Sequence, residues 1–144
     1  MTESISDRAT AAHELGHAFV ARETGLEPGR LKVYRWLGGG VCEIRDRPEL
    51  ADEATAWAYI LTFAAGEVAE RIWRDRNEVA APWSYGSGGD HEAIRYMLSQ
   101  MPDSRTLADA ETEAGTILEA CWPELEPLID ELAERGTLRE IPAA

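Results

Sequence analysis

The sequence predicts a mainly α-helical protein with a small β-sheet, an α+β domain over residues 1–144. Three observations point there. Most of the chain keeps apolar residues at i, i+3 and i+4. Alternation at period two is confined to one stretch between residues 30 and 45, and glycine or proline marks the places where one pattern gives way to the next. The length of 144 residues suits one ordinary domain. Such a chain can bury roughly 68–70% of the surface its unfolded form exposes.

The first helix is expected from about Ser6 to Glu23. Ser6 or Asp7 can cap it, Ala9, Ala12, Gly16, Phe19 and Val20 form its apolar stripe, and Gly25 stops it. From Arg30 to Arg45, Leu31 to Trp36 alternates, Gly38-Gly39-Gly40 interrupts, and Val41-Cys42-Glu43-Ile44 alternates again. That pattern fits a short antiparallel pair or one strand kinked at its glycines. A long helix should span about Leu50 to Asp75, with Trp57, Leu61, Ala64, Ala65, Val68 and Ile72 facing inward. After a loop from Asn77 to Gly89, another helix begins near Asp90 and turns Ile94, Met97 and Leu98 inward. The last helical region starts near Arg105 and runs to about Ala120. Pro123 is expected to kink or restart it, since proline cannot donate to the carbonyl of Glu119. Its second half should end at Arg135, with Gly136 as the cap. Helical spacing puts Trp57, Trp73 and Trp122 in the core, while Trp83 and Tyr85, just before Asp90, are candidates to line a cleft.

Composition narrows the function. The chain carries 27 acidic residues against 14 basic, a net charge of −13. Residues 101–144 alone hold 11 acids and 3 bases. That field repels phosphate backbones and anionic lipid surfaces, so no nucleic-acid partner is expected. No apolar run reaches the 18 or so residues of a membrane helix, so no membrane insertion is expected either. The first seven residues lack the basic patch and apolar segment of a secretory signal. Cys42 and Cys121 stand alone, without a CxxC spacing, and read as small apolar fillers or thiols rather than a disulfide. The expected compartment is the cytoplasm. The acidic C-terminal region reads as the solvated face of two helices, with a docking surface for a basic partner as the alternative.

The informative segment is Ala12-His13-Glu14-Leu15-Gly16-His17-Ala18. His13 and His17 lie four apart on a predicted helix, so both imidazoles leave one face and can meet a single Zn²⁺. Glu14, one residue on, sits beside such an ion and can take a proton from a metal-bound water. Composition alone would produce this H-E-x-x-H pattern about 0.01 times in a chain of this length. Gly16 points to close packing at the same place, because glycine inside a helix costs about 1 kcal/mol relative to alanine. A catalytic zinc needs a third protein ligand, for which Asp90, His91, Glu67 and Glu70 are candidates. A carboxylate at a helix start could equally be an N-cap, and the residues themselves leave the four open.

Four blocks, in order, carry a family resemblance. Ala11 to Val20 resembles the H-E-A-G-H-A stretch in the peptidase domain of the FtsH family of ATP-dependent zinc metalloproteases. Phe63 to Ile72 resembles that family's helix with a G-R-x-A-E-E core. Tyr85 to Ile94 resembles T-G-A-S-N-D-L-x-x-A, whose aspartate is the third zinc ligand. Ile117 to Ala120 and Trp122 to Leu138 resemble the closing helices. The resemblance covers nearly the whole chain and implies an FtsH-peptidase-like, zincin-type helical domain. It implies Asp90 as the third ligand and Glu70 as a supporting residue. Gly89 stands where the family has asparagine and Glu67 where it has arginine, and the family's ATPase module and membrane helix are not expected here.

The resemblance therefore implies a zinc metallopeptidase. His13, His17 and Asp90 would hold Zn²⁺, Glu14 would act as the base, and an extended substrate would pair beside Gly39, Gly40 and Val41. A plain hairpin turn is the alternative role for the glycines. Without a motor of its own, such an enzyme would cut extended or unfolded polypeptide, delivered where needed by a separate ATPase or adaptor. Two rival expectations keep the same residues. One is a non-catalytic, zinc-stabilised interaction module closed by His91 as fourth ligand, and the other is a zinc hydrolase acting on a non-peptide bond.

Overall fold

The computed structural model describes residues 5–35, 38–45, 52–80 and 87–144. Leu50, Trp36, Trp83 and Tyr85, which carry expectations stated above, lie outside those residues. The elements are α1 (Ile5–Glu23), β1 (Pro28–Val33), β2 (Gly40–Ile44), α2 (Glu53–Arg76), α3 (Ser87–Ser99), α4 (Leu107–Arg135) and β3 (Thr137–Leu138). The protein is mainly helical with a three-stranded antiparallel sheet of order β2-β1-β3, an α+β arrangement.

Helix α1 is the centre of the packing, touching α2, α4, β1 and β2. It was expected to bury one stripe, but every residue from Ala9 to Ala21 is buried. A helix enclosed on all sides is ordinarily apolar throughout. This one carries Thr10, His13, Glu14 and His17 inside, at 7% exposure or less. Buried polar groups are costly unless partnered, so these four mark where local economy was set aside. Gly16 allows the close approach its sequence position suggested. A Cβ there would stand 2.5 Å from the Ala69 Cβ and 2.7 Å from the Ala65 carbonyl oxygen on α2.

The period-two stretch forms the antiparallel pair, not a single kinked strand. Leu31 stands opposite Cys42, Lys32 opposite Val41 and Val33 opposite Gly40. Leu31 and Val33 are buried and Lys32 is exposed, as alternation requires. The Tyr34 N–H donates to the Gly39 carbonyl at 3.0 Å, and Gly39 takes a left-handed φ of 81° that a side chain would oppose. Strand β3 was not foreseen, because two residues are too few to show alternation. It follows directly from the Gly136 cap, whose φ is 80°. The Gly136 N–H closes α4 on the Leu132 carbonyl at 2.8 Å, while its carbonyl accepts from the Val33 N–H at 2.9 Å.

Two helix boundaries differ from expectation. Helix α3 begins at Ser87, so Asp90 lies within its first turn and does not open it. Helix α4 is capped by Thr106 and Asp109 in a reciprocal box and runs unbroken through Pro123 and Pro127. Neither proline restarts it. Both stand on the exposed face, where water can serve a carbonyl left without a donor, while Cys121, Trp122, Leu125 and Ile129 keep the opposite face buried. The acidic face is therefore one long helix, and several of its carboxylates meet arginines of neighbouring helices. Arg71–Glu111 at 2.6 Å and Arg76–Glu119 at 2.7 Å join α2 to α4, and Arg22–Glu124 at 2.7 Å joins α1 to α4. Such surface pairs contribute about 0–1 kcal/mol each.

Trp73 and Trp122 are core residues, whereas Trp57 is half-buried, with its indole N–H donating to Glu113 at 2.6 Å. Cys42 and Cys121 are free thiols. Among the described residues, no helix is long and apolar enough to cross a membrane.

Candidate metal centre

His13 and His17 lie one turn apart on α1, with ring centroids 4.8 Å apart and planes at 82°. Each ring is fixed from behind by α2. The Nδ1 of His17 is 2.6 Å from the Thr62 carbonyl oxygen. A carbonyl only accepts, so this nitrogen donates to it, and Nε2 faces Asp90 across the cavity. The Nδ1 of His13 is 3.2 Å from Oε1 of Glu70, which in turn pairs with Arg74 at 3.2 Å. A carboxylate behind a ligand histidine sets ring orientation and makes the front nitrogen a better donor to a metal.

The two front nitrogens converge on one oxygen. Oδ2 of Asp90 is 3.2 Å from Nε2 of His13 and 3.3 Å from Nε2 of His17. In four-coordinate zinc with bonds of 2.0–2.1 Å, donors lie about 3.3 Å apart along each edge of the tetrahedron. The three donor atoms all fall within 4.8 Å of one another. Helix α2 leaves room beside them because residue 66 is glycine. A Cβ there would stand 2.5 Å from Nε2 of His17 and 2.6 Å from Nε2 of His13, too close for both rings to keep their places. Two imidazole nitrogens and one carboxylate, a borderline-soft donor set around a hollow a methyl would fill, suit zinc.

The electrostatics fit a place for a cation. Burial opposes charge on His13, but hydrogen bonds to Asp90 and Glu70 and the nearby Glu14 raise its pKa to about 10 in the metal-free protein. Burial pushes Asp90 up, yet its bonds to His13 and His17 hold it well below the usual carboxylate range. Glu14 goes the other way. It is 6% exposed, and burial raises its pKa despite the pull of His17 and His13.

Glu14 lines the same cavity as the three donors, about 270 Å³ in volume, without belonging to the donor set. Gly39, Gly40 and Val41 line it too, and Ile44, Tyr59 and Phe63 supply an apolar wall. Gly40 lets β2 approach α1 closely: a Cβ there would meet the Lys32 carbonyl at 2.6 Å and Cγ of Glu14 at 2.9 Å. His13, Glu14, His17, Asp90, Gly39, Gly40 and Val41 thus line one cavity. The other third-ligand candidates fall elsewhere, Glu70 behind His13, and Glu67 against His91. Sequence reasoning missed the roles of Gly66 and Thr62. A lone glycine inside an apolar helical stripe was a usable signal for the first, whereas a backbone carbonyl leaves no trace in sequence.

Comparison with known protein families and with curated proteins finds no match to this chain. What the centre does must follow from its own chemistry.

Proposed function

We propose that this chain is a zinc-dependent metallopeptidase with an FtsH-peptidase-like fold, hydrolysing peptide bonds in extended or unfolded polypeptide. One observation carries the reading: His13, His17 and Asp90 converge as a three-donor set, with the buried carboxylate of Glu14 in the same cavity. Among the described residues three protein donors converge, which is the count of a catalytic zinc site. Bound there, zinc would activate a water molecule and polarise the scissile carbonyl.

Glu14 takes the proton from the attacking water and hands it to the leaving amine, a task suited to a carboxyl whose proton affinity is raised by burial. Glu70 and the Thr62 carbonyl hold both imidazoles with Nε2 forward. β2 is an edge strand of the sheet, so an extended peptide can add to it main chain against main chain beside Glu14. The non-catalytic alternative needs a fourth protein ligand, and its candidate, His91, is engaged by Glu67 instead.

An unfolded protein such as casein tests this reading. The zinc-loaded chain should cleave it, chelation should stop cleavage, and added zinc should restore it. A folded protein of similar size should resist until a separate ATPase or adaptor unfolds it. Cleavage that survives chelation, or that is as fast on folded as on unfolded substrate, would contradict the proposal.

A further inference from the structure

We propose that His91 and Glu67 form a positioning pair that sets where Asp90 stands at the metal, an inference that rests on the metal-site reading above. Two of the three donors share α1, and only Asp90 arrives on another helix. Helix α3 packs against α2, and its Ile94 and Met97, at 1% and 7% exposure, are buried in the core one and two turns beyond Asp90. Those apolar contacts fix the body of the helix and leave the first turn, which carries the ligand, at the end of a lever.

The pair acts at that end. Nε2 of His91 lies within hydrogen-bond distance of Oε2 of Glu67. His91 follows Asp90 on α3, and Glu67 follows Gly66 on α2. The tie therefore joins the residue after the third ligand to the residue after the glycine that keeps the hollow open. It fixes the separation of donor and wall, and with it the approach of Oδ2 to the two imidazole nitrogens.

Stability does not account for the contact. The side chains are 39% and 27% exposed, and pairs so accessible to water contribute about 0–1 kcal/mol to folding. A small energy acting on the geometry of a ligand has a larger effect, because groups that orient ligands commonly change metal affinity 10–100-fold.

The experiment measures zinc affinity by competition with a chromophoric chelator, together with the melting temperature of each metal-free protein. His91→Ala and Glu67→Ala should each weaken zinc binding about 10–100-fold, and the double variant should be little worse than either single one. His91→Gln, which keeps a donor toward Glu67, should recover most of the affinity. The metal-free melting temperatures should stay together. Unchanged affinity in both alanine variants would overturn the proposal. So would a loss of affinity that tracks a loss of metal-free stability, because the pair would then be an ordinary fold contact. An unsubstituted protein that binds no zinc would overturn the metal-site reading itself, and that result is visible before any variant is made.

Discussion

A single hydrogen bond, from Nδ1 of His17 to the Thr62 carbonyl, decides which nitrogen of that ring faces the cavity. Details of this kind separate a motif from a site. The H-E-x-x-H spacing was legible because two imidazoles four residues apart must leave one face of a helix. The third ligand was not legible from chemistry, since Asp90, His91, Glu67 and Glu70 are all plausible donors until the chain folds. The resemblance pointed to Asp90, whose Oδ2 stands 3.2 Å from Nε2 of His13 and 3.3 Å from Nε2 of His17. Gly66 yields a prediction at this scale. Gly66→Ala should abolish or strongly weaken zinc binding, because its Cβ would stand 2.5–2.6 Å from both front nitrogens. Metal-free protein should still fold, and zinc stoichiometry by elemental analysis reads the result; full zinc occupancy would refute the role given to the hollow.

At the scale of the element, α1 and α2 meet through small residues. Gly16→Ala brings two effects of opposite sign. Alanine is the better helix former by about 1 kcal/mol, but its Cβ would clash with Ala69 and the backbone of Ala65. Overpacking of that kind costs about 1–3 kcal/mol, and backbone cannot move aside as a flexible side chain can, so net destabilisation is expected. Gly115→Ala on α4 provides the contrast. Its Cβ would meet only Cγ1 of Val68 at 3.7 Å, an ordinary contact, so a gain of about 0.5–1 kcal/mol is expected in denaturant melts. Equal effects of the two substitutions would contradict this packing account.

Helical periodicity found the four helices of the described residues, since each keeps an apolar face. It placed the start of α3 late because Ser87-Gly88-Gly89 has loop composition, and it broke α4 at Pro123 because a sequence does not say which face a proline will take. The full enclosure of α1 did not show in its apolar stripe, because the buried His13, Glu14 and His17 that line the cavity are polar.

Over the whole molecule, the centre ties three helices, with donors from α1 and α3 and support from α2. Zinc binding should therefore raise the melting temperature, and the gain should depend on pH. In the metal-free protein the His13 pKa is raised from 6.5 to about 10. A raised pKa means the protonated form stabilises the fold: that contribution is complete below about pH 6.5 and is lost as pH rises toward 10. Zinc requires the unprotonated nitrogen, so its hold strengthens over the same range. The melting gap between zinc-loaded and metal-free protein should widen from pH 6.5 to 9, and a gap that narrows would contradict the arrangement. Part of the charge of −13 lies on α4, where arginines of α1 and α2 meet some of its carboxylates.

The most direct test of the central claim is Glu14→Gln, assayed for zinc content and for casein cleavage in one preparation. Glu14 lies outside the donor set, so the variant should keep one zinc per chain and lose hydrolysis by about 10²–10⁴-fold. Cleavage at the unsubstituted rate with zinc in place would show that Glu14 is not the base.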